Sequence, residues 1–158
     1  QKLHTRDSDL IALCEDKVLK IQANKDALYN ADGNMQVTAT HNVLGQAIPF
    51  VGEYGISRNP ESFVSEAYRS YFTDKQRGTV MRLSKDGLTP ISMHGMTDWF
   101  KDNLKLANKQ ILGSYDSKKD NYNLTLKGDI VNQNISTTVS FREDVGGWVS
   151  FKSFVPQQ

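Results

Sequence analysis

Apolar and polar positions change places over short distances along this chain. In residues 71–90 (YFTDKQRGTVMRLSKDGLTP) an aromatic, β-prone run over 67–73 meets the polar segment 74–78, which ends in Gly78, and a second β-prone run follows over 79–84. Lys85-Asp86-Gly87 then closes that run with an Asp-Gly turn. Short β-prone runs separated by turn residues predict antiparallel strands, and a five-residue connection is within the usual hairpin range. The same reading predicts strand, turn and strand over 10–21, with Glu15-Asp16 in the turn. A further hairpin is expected over 111–126, turning at 116–121. The last is expected over 136–154, turning at 142–147 with Gly146-Gly147 in the turn. The hairpins begin near Leu10, Ala67, Ile111 and Ser136, a spacing too irregular for a clean repeat.

One segment carries the helical period instead. Phe100, Leu104 and Ala107 fall at i, i+4 and i+7, with Trp99 at the edge of that face, Thr97 as N-cap and Asp98 suited to the positive end of the dipole. This predicts a helix over 97–108. Residues 1–9 are polar and read as a tail or incoming connection. Residues 24–34 are turn-rich, with the strongest break at 30–34, and 35–40 reads as a short strand. Residues 41–55, with Gly45, Gly52, Gly55 and Pro49, read as an ordered connection. Residues 58–62 read as a turn with Pro60 in first helical position, and 128–134 as a loop. The expected fold is all-β, mainly antiparallel hairpins with one short helix, in a single β-rich segment over 10–156.

Composition removes several function classes. With 158 residues the chain is long enough for one domain with a real core. Nineteen basic residues against 18 acidic leave a formal charge of +1, and the basic residues are dispersed, so no sequence-specific nucleic-acid partner is expected. Cys14 stands alone, which excludes an internal disulfide and a multi-cysteine metal site, and it reads as a small residue at a strand end. No run approaches the roughly 18 apolar residues of a membrane helix, and no membrane partner is expected. The chain starts with Gln and stops just after a β-like segment, which suggests a piece of a longer polypeptide.

Candidate chemistry is sparse. His4, His41 and His94 have no ligand-like spacing, no Gly-x-Ser-x-Gly elbow occurs, and the glycines of 45–55 match no phosphate-loop pattern. No catalytic residue, cofactor or metal is expected. The segment 116–121 has acids for calcium but two lysines in its middle. Asn123-Leu124-Thr125 and Asn134-Ile135-Ser136 match the glycosylation sequon. Asp74 and Asp86 are the most tempting acids, and turn chemistry accounts for both. Aromatics, including Tyr68, Tyr71, Phe72, Tyr115, Tyr122, Phe141, Trp148 and Phe151, are expected mostly to pack between sheets. Their alternative use is a glycan-binding platform, to be tested by Trp148→Ala.

Two resemblances sharpen this picture. Tyr71-Phe72-Thr73-Asp74, Gly78, Met81-Arg82-Leu83 and Asp86-Gly87 resemble a blade of the YWTD or NHL β-propellers. That resemblance implies that Asp74 hydrogen-bonds within or between blades and that Asp86 and Gly87 make the exit turn. Over most of its length the chain also resembles the stabilisation or muzzle proteins of crAss-like tailed bacteriophages. The segments that carry this are 10–34 (LIALCEDKVLKIQANKDALYNADGN), 42–62 (NVLGQAIPFVGEYGISRNPES), 68–100 and the last two hairpins, ending GWVSFKSFVP at 147–156. The resemblance implies a non-enzymatic virion protein assembled with other tail proteins and with the rest of its own precursor, as a homo- or hetero-oligomer. It implies a place in tail assembly and allows one in DNA retention or ejection. At about 40–45 residues per blade the chain is too short to close a propeller. An incomplete, propeller-like segment is therefore expected, with Tyr71, Phe72, Asp74, Asp86, Gly87 and Trp148 as its structural residues. The runner-up expectation is a host-surface glycan-binding module of the tail.

Overall fold

The computed structural model describes residues 1–23, 28–29, 35–36, 44–130 and 133–152. Among these the chain is mostly strand, arranged as three four-stranded antiparallel sheets and one small ribbon. The first sheet holds β1 (Lys2–Arg6), β2 (Asp9–Leu13), β3 (Val18–Ala23) and β6 (Leu44–Pro49), in that order. Between β3 and β6 lies the ribbon of β4 (Leu28–Tyr29) and β5 (Met35–Gln36). The second sheet has the order β10-β9-β8-β7, from β7 (Val64–Ser65), β8 (Ser70–Asp74), β9 (Thr79–Ser84) and β10 (Gly87–Pro90). The third is β11 (Gln110–Asp116), β12 (Asn121–Ile130), β13 (Gln133–Arg142) and β14 (Gly147–Lys152). A helix, α1 (Thr97–Leu106), joins the second sheet to the third.

The second sheet is the middle layer, and the pleat explains why its strands are apolar on both faces. Alternate residues of a strand point to opposite faces. Phe72, Met81 and Leu83 join Ile11, Leu13, Val18 and Ile56 in one core, against the first sheet. Tyr71 and Val80 join Phe100, Leu104, Ile111, Tyr122, Leu124 and Phe141 in the other, against the third sheet and the helix. All five residues of β8 are buried in consequence. Helix α1 lays Phe100 and Leu104 into the second core, as its period predicts.

The two remaining sheet faces differ in character. On the first sheet the register aligns Leu3, Ala12, Leu19 and Pro49 in one row, and Thr5, Leu10, Ile21 and Ala47 in the next. Neither row carries a charge. Leu3 is 66% exposed, Ala47 and Pro49 are exposed, and Leu10, Leu19 and Ile21 are half-buried. On the third sheet the corresponding face is a polar ladder whose residues Asn123, Thr125, Thr138 and Ser140 are all buried. The Thr125 and Thr138 hydroxyls lie 2.7 Å apart, and Ser140 Oγ donates to Asn123 Oδ1 at 2.5 Å.

Several local expectations change. Residues 2–6 form β1, paired along its whole length with β2, rather than a tail. The strand is polar because it is an edge, and lysine and arginine there discourage pairing with another chain. Residues 44–49, expected as a connection, form β6. The loop expected over 128–134 shrinks, because β12 runs to Ile130 and β13 begins at Gln133. The last two hairpins therefore share one continuous sheet. Helix α1 is capped by Met96, whose carbonyl accepts from Phe100 N, so Thr97 is the first helical residue. The expected short strand over 35–40 is described only at Met35–Gln36, and the break at 30–34 lies outside the described residues.

Candidate functional site

Asp74 ends β8 beneath the tight loop to β9, and its carboxylate is fully buried. Oδ2 accepts from Gly55 N and from the Arg77 guanidinium, both at 3.0 Å. Oδ1 accepts from Ser57 Oγ at 3.1 Å and from Arg77 N at 3.2 Å. Four donors, one of them a cation, are what a buried carboxylate requires. Gly55 and Ser57 belong to the segment that leaves the first sheet, so Asp74 ties two sheets together. Ser57 is held at φ 53, a left-handed conformation uncommon for a residue with a Cβ. Its hydroxyl also accepts from Gln76 N at 3.2 Å, so the bonds that use the strained residue hold it in place.

Asp86 and Gly87 lie at the other end of β9. Asp86 N donates to Ser84 Oγ at 3.3 Å, and Gly87 opens β10 at φ 100, where glycine alone is unstrained. Asp74 and Asp86 are separated by the length of six-residue β9, about 20 Å, and face no common cleft. Asp116 Oδ1 accepts from Lys118 N and Lys119 N, which makes 116–121 a capped turn. Among the described residues no group of His, Cys, Asp or Glu is arranged to hold a metal ion. Asn123 of the first sequon is buried, and the side chain of Asn134 lies outside the described residues.

The aromatics divide sharply. Tyr71 stacks on Tyr122 with ring centroids 4.6 Å apart and lies 6.2 Å from Tyr115. Its hydroxyl donates to Glu143 Oε1 at 2.8 Å. Burial raises the pKa of all three tyrosines, and hydrogen bonds to Glu143 and Asp120 raise those of Tyr71 and Tyr115 further. Phe72 fills the opposite core. Trp148 lies half-buried 4.6 Å from Phe100, with Nε1 donating to Ile91 O at 3.1 Å, so it packs the core instead of offering a platform. Tyr68 and Phe151 are the exceptions, 71% and 61% exposed. Tyr68 is not in a strand: it sits in the loop of the β7–β8 hairpin.

Around Tyr68 the structure gathers an ionic cluster that the sequence pattern did not mark. Glu143, from the β13–β14 turn, accepts from Arg82 Nη1 at 2.7 Å and lies 3.7 Å from Arg69 Nε. Arg69 in turn faces Glu66 at 3.5 Å. These residues come from two sheets and are up to 77 positions apart (143 minus 66), so no local spacing could reveal them. Arg69 and Arg82 form one wall of a groove that continues past Tyr68 to His4 and Arg6 of β1 and to Lys85. Burial and the nearby Arg6 and Lys2 charges lower the pKa of His4, and its Nε2 lies 3.2 Å from Ser65 Oγ.

The chain thus presents two candidate surfaces, the apolar face of the first sheet and the polar groove at Tyr68. No protein-family model matches the sequence, and no curated protein matches it either.

Proposed function

We propose that this chain is a non-enzymatic structural component of a bacteriophage virion tail, a propeller-like segment that works by burying the outer face of its first sheet in an assembly. The observation that carries this reading is the first sheet. One of its faces packs on the middle sheet, while the other sets two uncharged rows, from Leu3 to Pro49 and from Thr5 to Ala47, toward the outside. A partly exposed aliphatic sheet face is a surface for another layer. Three successive four-stranded meanders stacked face to face are also how propeller blades pack, which supports the blade resemblance of 71–90. The resemblance to the stabilisation or muzzle proteins of crAss-like phages supports the virion setting. Its partners in this reading are other tail proteins and the rest of the precursor polypeptide.

The test is an electron-microscopy map of intact tails. The chain is expected there with more than roughly 2,000 Å² of surface buried against neighbours, as in obligate complexes. Leu19→Asp, on the outer face of the first sheet, is expected to block incorporation while leaving the three-sheet stack folded. A stable, cooperatively melting monomer that enters no assembly would contradict the reading.

A further inference from the structure

We propose that the groove around Tyr68 is a binding site for neutral sugar units. Three hollows of about 260, 260 and 220 Å³ meet there, and all three are bordered by Lys85. Tyr68 borders two of them. A core that buries Tyr71, Tyr122, Phe72 and Phe141 leaves this one tyrosine 71% exposed beside a concavity. Its loop is fixed. The Arg6 guanidinium donates to Tyr68 O at 3.0 Å, Glu66 N donates to Arg69 O at 2.9 Å, and the Ser65 and Ser70 hydroxyls close the hairpin at 3.1 Å. A rigid aromatic with two rotatable bonds gives contact area at low entropic cost.

The polar lining selects the ligand class. Arg6, Ser84 and Lys85 offer donors, and Asp7 and Asp86 offer acceptors. Arg6 and Lys85 are balanced by Asp7 and Asp86, so a phosphate or carboxylate ligand, which presents acceptors alone, gains no net attraction and leaves both carboxylates without a donor. An apolar ligand would leave these groups without partners. A sugar hydroxyl both donates and accepts, and the C–H face of a pyranose ring can lie on the Tyr68 ring. Arg69 and Arg82 are committed to Glu66 and Glu143, so they hold the wall of the groove and add little net charge to it.

This proposal does not depend on the assembly role, and the two can fail separately. The test is an array carrying neutral, sialylated and uronate oligosaccharides, probed with the chain and its variants. The wild type is expected to retain neutral glycans. Tyr68→Ala is expected to weaken retention about tenfold, the scale of one aromatic contact, and Tyr68→Phe to restore it. Circular dichroism should show both variants folded, because the side chain is mostly exposed. Should Tyr68→Ala melt early, Ser84→Arg, which narrows the groove without touching the loop, is expected to give the same loss. Binding to no neutral glycan, binding confined to acidic glycans, or neutral binding unchanged in Tyr68→Ala or Ser84→Arg would overturn the proposal.

Discussion

At the scale of single residues, Asp74 concentrates the most structure in one side chain. Asp74→Ala leaves Gly55 N, Ser57 Oγ and the Arg77 guanidinium without their acceptor, and is expected to cost about 3–5 kcal/mol in denaturant unfolding. Asp74→Asn, which keeps an acceptor but lacks the charge, should fall between the two. The tyrosines give a pH dependence of known sign. Their native pKa values lie above the ordinary tyrosine value of 10.0, so the fold favours the protonated phenols. Their stabilisation is complete below pH 10.0 and is lost as the pH rises toward the native values. Stability is therefore expected to fall above pH 10.0, with the absorbance of Tyr71, Tyr115 and Tyr122 phenolate appearing together with unfolding. The turn position of Asp74 was legible, because an aspartate between a β-prone run and a glycine-ended loop has local hydrogen-bonding work. Tyr68 was not. An aromatic beside strand-like residues reads as packing, and only the hairpin geometry turns it outward.

At the scale of elements, the turns were easier to read than the edges. Asp74–Gly78, 116–121 and 142–147 all turn where polar and glycine residues interrupt the apolar pattern. Gly78 and Gly146 take left-handed φ of 65 and 64, and Asp120 takes 54. Strands β1 and β6 escaped the pattern because edge strands bury little, so selection for alternating apolar residues is weak along them. The join between elements depends on Gly55, where a Cβ would lie 2.1 Å from the Glu15 carbonyl oxygen. Gly55→Ala must push apart the segment that links the first two sheets, and is expected to lower stability by about 3 kcal/mol. Calorimetry of the variant checks this. A loss confined to a few tenths would mean that the segment can shift freely.

At the scale of the whole molecule, the hairpin pattern foretold antiparallel β structure but not how the sheets stack. Apolar runs such as 79–84 identify strands buried on both faces only once their neighbours are known. The pairing of Tyr71 with the third sheet and Phe72 with the first is a tertiary fact that adjacent letters do not display. The double burial of β8 has a consequence for how the molecule opens. Its amides can meet water only if an outer sheet departs, whereas β1 and β14 lie at sheet edges. In native-state hydrogen exchange, β8 and β9 amides are expected to exchange last, with an opening free energy equal to that of global unfolding. Faster exchange there than in β12 would contradict this. A chain cut after β10 would expose the Tyr71 and Val80 face and is expected to lose its slow-exchanging class entirely. The middle sheet would then act less as a subdomain than as a latch, with protection that neither outer sheet alone can confer.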